Sequence, residues 1–194
     1  MLCVRFVSGC GGISSVVRDV LLVVDVFSDF DHEDGDALLA SFRERATAMV
    51  EAIAAARQAG TPVVYVNDQH GRWDGDAPGL VRAALSENQS GEVIAPLAPK
   101  PGDPFLLKAR YSAFDHTPLV LSLRQLEIDR ILLVGAATEG CIVQTGIDAR
   151  ELDFKVTIFA DACATNDAAL ADVALGYAER VGGIRIDRAI SGTA

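Results

Sequence analysis

Val20-Leu-Leu-Val-Val-Asp25-Val26 is the stretch that decides the fold. Consecutive aliphatic residues closing on a carboxylate suit a central parallel strand, which is buried on both faces and therefore shows no polar alternation. Asp25 also stops the run far short of the ~20 apolar residues that a membrane span requires, so no membrane partner is expected. Next, Leu38, Phe42, Ala46, Met49, Ile53 and Ala56 recur at helical spacing, which predicts a helix over 37–59 with Gly60 as its C-cap. Asp36 is placed to cap its start. Further strands are expected at 62–66, 105–108, 131–134, 156–160 and 183–186. Helices are expected at 80–85, 118–126, 141–152 and 167–181, and Pro96, Pro99 and Pro101 make 95–103 irregular.

Strands alternating with helices predict a three-layer α/β/α fold with a six-stranded, mostly parallel sheet. At 194 residues the chain fits one such domain over 18–194, with 1–17 as an N-terminal extension. Its Gly9-Cys-Gly-Gly12 cluster reads as a turn, and no signal-peptide pattern precedes it. A net charge of −10 opposes binding to phosphate backbones, so no nucleic-acid partner is expected. Cys3, Cys10, Cys141 and Cys163 form no disulfide framework and no metal-binding spacing, which suits reduced thiols and a cytoplasmic location. The acidic run from Asp29 to Asp36 fails the calcium-loop register, because Asp34 stands where glycine is needed and Ala40 where the bidentate glutamate belongs.

Parallel sheets place their chemistry at the carboxyl ends of the strands. Three reactive residues stand there: Asp25 ends the first strand, Lys108 the third, and Cys141 follows the fourth. A thiol where a strand turns into a helix meets unpaired N–H groups that favour thiolate, and a lysine beside it lowers its pKa further. A carboxylate in reach takes the thiol proton and returns it to a leaving group. Each residue also has an ordinary reading: a small buried hydrophobe for Cys141, a turn residue for Asp25 and a solvated edge for Lys108. Spacing alone leaves both readings open. Cys163 reads as structural, and His116 as a cap or surface residue.

Leu-Leu-Val-Val-Asp25-Val-Phe-Ser-Asp-Phe30, Lys108-Ala-Arg-Tyr-Ser-Ala-Phe114, Gly135-Ala-Ala-Thr-Glu-Gly-Cys141 and Val-Thr-Ile-Phe-Ala-Asp161-Ala-Cys-Ala together resemble the isochorismatase-like cysteine hydrolases. That family includes nicotinamidases, N-carbamoylsarcosine amidase and ureidoacrylate amidohydrolases. The resemblance runs from about Arg18 to Ile186. It implies a catalytic triad of Asp25, Lys108 and Cys141, an oxyanion hole from the N–H groups of Ala137 and Cys141, and a cis peptide at Ala136–Ala137. It further implies a small-molecule substrate and assembly as a homodimer or homotetramer. The substrate pocket is expected to draw on Phe30, Asn67, Trp73, Tyr111, Phe114 and Thr138.

Two departures bear on the substrate. Phe27 stands where the family usually has Gln, which makes the pocket more apolar. Nicotinamidases hold a metal with an Asp-x-His pair and a further His; here Asp68-Gln-His70 fits formally but no second His follows nearby, so neither metal nor other cofactor is expected. Retention of Cys141 points to C–N cleavage through a thioester. The alternatives are an isochorismatase-type vinyl-ether hydrolase, a metal-assisted nicotinamidase and, from another class, a non-catalytic assembly module.

Overall fold

The computed structural model describes residues 17–69, 76–86 and 90–189. All six strands lie in one sheet in the order β3-β2-β1-β4-β5-β6, and every neighbouring pair is parallel. β1 (Asp19–Val24) is central, and Val20–Val24 are at most 1% exposed. Its side chains alternate between two cores. Leu21 and Val23 join Phe42, Met49 and Ile53 of α1 (Gly35–Gln58), whereas Val20, Leu22 and Val24 join Leu119 and Leu123 of α4 (Leu119–Gln125) and Ala149 of α5 (Val143–Glu151). Helices thus cover both faces, which is why the sequence of β1 is apolar without interruption.

From β1 the chain moves outward to β2 (Val63–Asp68) and β3 (Phe105–Lys108), then crosses back to lay β4 (Arg130–Gly135) along the other side of β1. β5 (Lys155–Cys163) and β6 (Arg185–Asp187) follow outward, with α6 (Ala168–Arg180) between them. The direction of winding reverses between β1 and β4. A crevice opens at the carboxyl end of a sheet at such a switch point.

Element boundaries differ from the expected ones in instructive places. α1 begins two residues early, so Asp36 lies inside its first turn and is not the cap; Asp34 occupies that position without a side-chain bond. Its other end closes as the sequence predicts. Gly60 at φ +71° lets its N–H bond Arg57 O and the Thr61 N–H bond Ala56 O, a Schellman closure. α2 (Ala77–Ser86) is longer than expected. Within the proline-rich stretch, α3 (Gly91–Ile94) runs into a 3₁₀ turn at Ala95–Leu97, because buried Ile94 and Leu97 anchor it to the α1 side of the core. β5 extends to Cys163 past a register shift opposite Leu133 and Gly135. The expected N-terminal extension lies outside the described residues apart from Val17, as do Cys3 and Cys10. Among the described residues, no helix is long and apolar enough to cross a membrane.

Candidate active site

The ends of β1 and β4 meet closely. At Gly135 (φ +127°) a Cβ would lie 1.9 Å from Val24 O, so only glycine admits this approach. The Ala136–Ala137 peptide that follows is cis. Thr138–Ile142 then forms a single π turn, with Ala137 O accepting from the N–H groups of Gly140 and Ile142. Cys141 therefore sits in this wider turn rather than in the first turn of α5. Asp25 leaves β1 at φ +49°, a left-handed conformation that aspartate tolerates better than most residues.

The three strand-end residues converge. Lys108 Nζ lies 2.7 Å from Asp25 Oδ2, 3.3 Å from Cys141 Sγ and 2.9 Å from Arg110 O. An ammonium has three donors, and all three are placed. Lys108 is 1% exposed, so its charge survives burial only through these partners. The second oxygen of Asp25 accepts from the Asp68 N–H at 2.5 Å, and the Cys141 thiol hydrogen-bonds the Asp25 carboxylate. Asp68 Oδ2 lies 3.9 Å from Lys108 Nζ.

The electrostatics differ from the expected thiolate. Burial, joined by the Asp25 charge, pushes the Cys141 thiol up to about 12, and Lys108 offsets only part of this. Burial also raises the Asp25 carboxyl, against the pull of Lys108. For Lys108 itself burial lowers the pKa, but Asp25 and Cys141 outweigh it and the net shift is upward. One ammonium cannot support two adjacent anions, so the resting site is a carboxylate, an ammonium and a thiol. Lys108 holds the Asp25 carboxylate and orients the thiol.

The group faces a cleft of about 610 Å³, also lined by Phe27, Ala137, Tyr111 and Asn166. Tyr111 stands at the rim, 65% exposed, with its ring beside Gly140. Other expected pocket residues are elsewhere or otherwise engaged. Phe30 is buried edge-on against Phe42 in the core, because its positive φ turns it inward. Phe114 stacks on Phe154 on the opposite side of the sheet. Thr138 is buried, and its N–H and hydroxyl both donate to Ala164 O. Asn67 lines the cleft but spends its amide on the backbone: Oδ1 accepts from Phe27 N, and Nδ2 donates to Phe27 O and Asp68 O. It is a splint between β1 and β2. Phe27 reaches the cleft, yet its ring packs against Tyr65 and Phe105. Trp73 and His70 lie outside the described residues, among which no three metal-ligating side chains come together. Cys163 is fully buried, and burial pushes its thiol up to about 12.

Sequence reasoning missed three contributors. The Arg110 carbonyl carries no side-chain signal. Asp68, at the end of β2, passes the strand-end test that selected Asp25 but was weighed only as a metal ligand. Glu139 stands two residues before Cys141, and its carboxylate accepts from Thr165 Oγ1, Asn166 N and Asp167 N.

The sequence profile of the isochorismatase domain matches residues 19–189. The chain belongs to the isochorismatase family. Within that family it is 30% identical over 161 residues to the uncharacterized isochorismatase family protein YaaI of Bacillus subtilis, covering 83% of this chain and 88% of that one. It is 33% identical over 172 residues to the ureidoacrylate amidohydrolase RutB of Methylorubrum extorquens, covering 74% and 68%. Among solved structures, N-carbamoylsarcosine amidase of Thermoplasma acidophilum superposes with a TM-score of 0.69 at 28% identity, covering 91% of this chain and all of that one. The chain is thus an isochorismatase-family hydrolase, and the switch-point cleft is the place in its fold where the reactive side chains gather.

Proposed function

We propose that the chain hydrolyses a C–N bond of a small amide, ureido or carbamoyl compound through a thioester on Cys141. The observation that carries this reading is the buried ammonium, Lys108 Nζ, bridging Asp25 and Cys141 behind the cleft that those two residues line. The named relatives that act on ureidoacrylate and N-carbamoylsarcosine support the C–N choice.

The steps follow from the resting ionisation. As Sγ attacks the carbonyl carbon, its proton passes to the Asp25 carboxylate, and the carbonyl oxygen becomes an oxyanion. The N–H groups of Ala137 and Cys141 receive that oxyanion, an interaction worth about 3–4 kcal/mol per donor in other enzymes. Collapse breaks the C–N bond, and Asp25 gives its proton to the departing nitrogen. Water then adds to the thioester carbonyl while Asp25 takes one of its protons. Collapse expels the Cys141 sulfur, which recovers that proton, and the acid leaves. A thiol near 12 suits this route, since proton transfer and attack occur together instead of through a standing thiolate.

The test is a panel of small carboxamides, ureido acids and N-carbamoyl amino acids scored by ammonia or amine release. Turnover that disappears in Cys141→Ala supports the reading. Turnover of a vinyl ether but of no C–N substrate overturns it.

A further inference from the structure

The loop between β5 and α6 is bound to the turn that carries Cys141 more firmly than the chain connection requires. Ala164 N donates to Gly135 O, and Thr138 donates twice to Ala164 O. Thr165 N donates to Ser41 Oγ of α1. Glu139 completes the set, with Oε2 accepting from Thr165 Oγ1 at 2.6 Å and Oε1 accepting from Asn166 N at 2.9 Å and Asp167 N at 3.3 Å. The residue so fixed is Asn166. It lines the large cleft together with Asp25, and a second hollow of about 320 Å³ together with Glu139 and Gln144. Ala137, Tyr111, Cys141 and Asn166 are common to both, so Asn166 stands where the two spaces meet at the sulfur.

Its amide is unfinished. Asn166 Oδ1 is shielded from water and meets no hydrogen-bond donor among the described residues. An orphaned carbonyl in such a place is rare and destabilising, and it gains most from a donor brought by a ligand. The backbone is held, but the terminal torsion of asparagine is broad, so the amide turns about its own axis to present Oδ1 without moving the loop. We infer that Asn166 is the specificity-determining residue that accepts an N–H group of the substrate, and that Glu139 is the residue that positions it. The inference rests on the C–N hydrolase reading and sharpens it: the favoured substrate carries a free N–H next to the attacked carbonyl, as ureas, carbamoyl compounds and unsubstituted amides do and N,N-dialkyl amides or esters do not.

Alkylation of Cys141 separates this inference from the hydrolase reading, because it needs no turnover. Iodoacetamide and N,N-dimethyl-2-iodoacetamide react by the same displacement of iodide by sulfur and differ in the N–H groups. Their rate ratio at Cys141 is measured by peptide mass at pH 9, with methyl methanethiosulfonate as a control for thiol reactivity. The wild-type ratio is expected to fall about three- to tenfold in Asn166→Leu, the size of one neutral hydrogen bond. Asn166→Asp, which keeps an acceptor, is expected to retain it. Glu139→Ala is expected to lose it and Glu139→Gln to keep most of it, each rate being divided by that of the control reagent so that any change in thiol reactivity cancels. An unchanged ratio in Asn166→Leu overturns the inference. Loss in Asn166→Asp as well as Asn166→Leu overturns the assignment of Oδ1 as the acceptor. If the ratio behaves as expected while no C–N substrate turns over, the recognition stands and the hydrolase reading falls.

Discussion

Cys141 is governed first by its burial and next by its neighbour Asp25. The carboxylate raises the thiol, and it is also the base that the proposed attack needs. Labelling and catalysis should therefore part company in Asp25→Asn. Without the carboxylate the thiol falls below about 12, because burial is then opposed by Lys108 with no neighbouring anion to assist it, so alkylation by iodoacetamide near pH 9 should quicken. Turnover in the same variant should drop by about 10³-fold or more, because the proton relay is gone. Lys108→Met works in the opposite direction on the thiol, leaving two acidic groups without their cation. Both its labelling and its turnover should collapse. Rates of adduct formation and amine release on the three proteins check this, and a slower alkylation of Asp25→Asn would refute the electrostatic account. The expectation from sequence was a thiolate assisted by the lysine. The lysine does pull the thiol down, but spacing shows which groups meet and not how much water they lose, and desolvation outweighs the lysine here.

At the scale of the elements, strand ends were legible because a buried parallel strand has an unmistakable composition, and Asp25 and Lys108 punctuate theirs. Of the helix ends, Gly60 was legible, whereas Asp36 was read as the cap of a helix that begins before it, and Asp167 was placed at a helix start without being read as its cap. Asp167 accepts from Ala169 N and Leu170 N and starts α6, so Asp167→Ala should cost about 1 kcal/mol in urea denaturation, with no change in the slope. Pocket walls were not legible, since which way Phe30, Phe114 or Thr138 faces depends on a local turn or a distant partner. Phe114 finds Phe154 forty residues later, and Thr138 finds Ala164 on the neighbouring strand's extension. Gly135 shows the same limit from the other side. Its motif suggested a turn, yet its real constraint is Val24 O on β1. Gly135→Ala places a methyl group into that carbonyl at a positive φ, so it should lose about 3 kcal/mol or more and shift the urea midpoint well below that of Asp167→Ala.

The whole molecule joins a stable sheet to a site of opposite acid sensitivity. Asp25 binds its proton more readily in the folded chain than in the unfolded one, because burial outweighs Lys108. Such a group contributes stability below its unfolded value of 3.8 and loses that contribution as pH rises through its folded value, so acidification through this window does not unfold the protein on its account. It does remove the base that the proposed reaction needs. Groups that do fail in acid behave otherwise. Asp187 is lowered by the Arg188 N–H, so what it contributes is present above 3.8 and is lost as pH falls through its folded value. Self-repulsion works against that loss: the net charge of −10 shrinks as pH approaches 4.7, which eases the compact state. Activity should therefore leave before structure does. A profile of kcat/KM against pH should fall along a single ionisation on the acid side, above the ordinary carboxylate value, while circular dichroism and the melting temperature hold until the pH is lower still. Should the melting temperature drop in step with kcat/KM, Asp25 is not the group whose protonation limits the reaction.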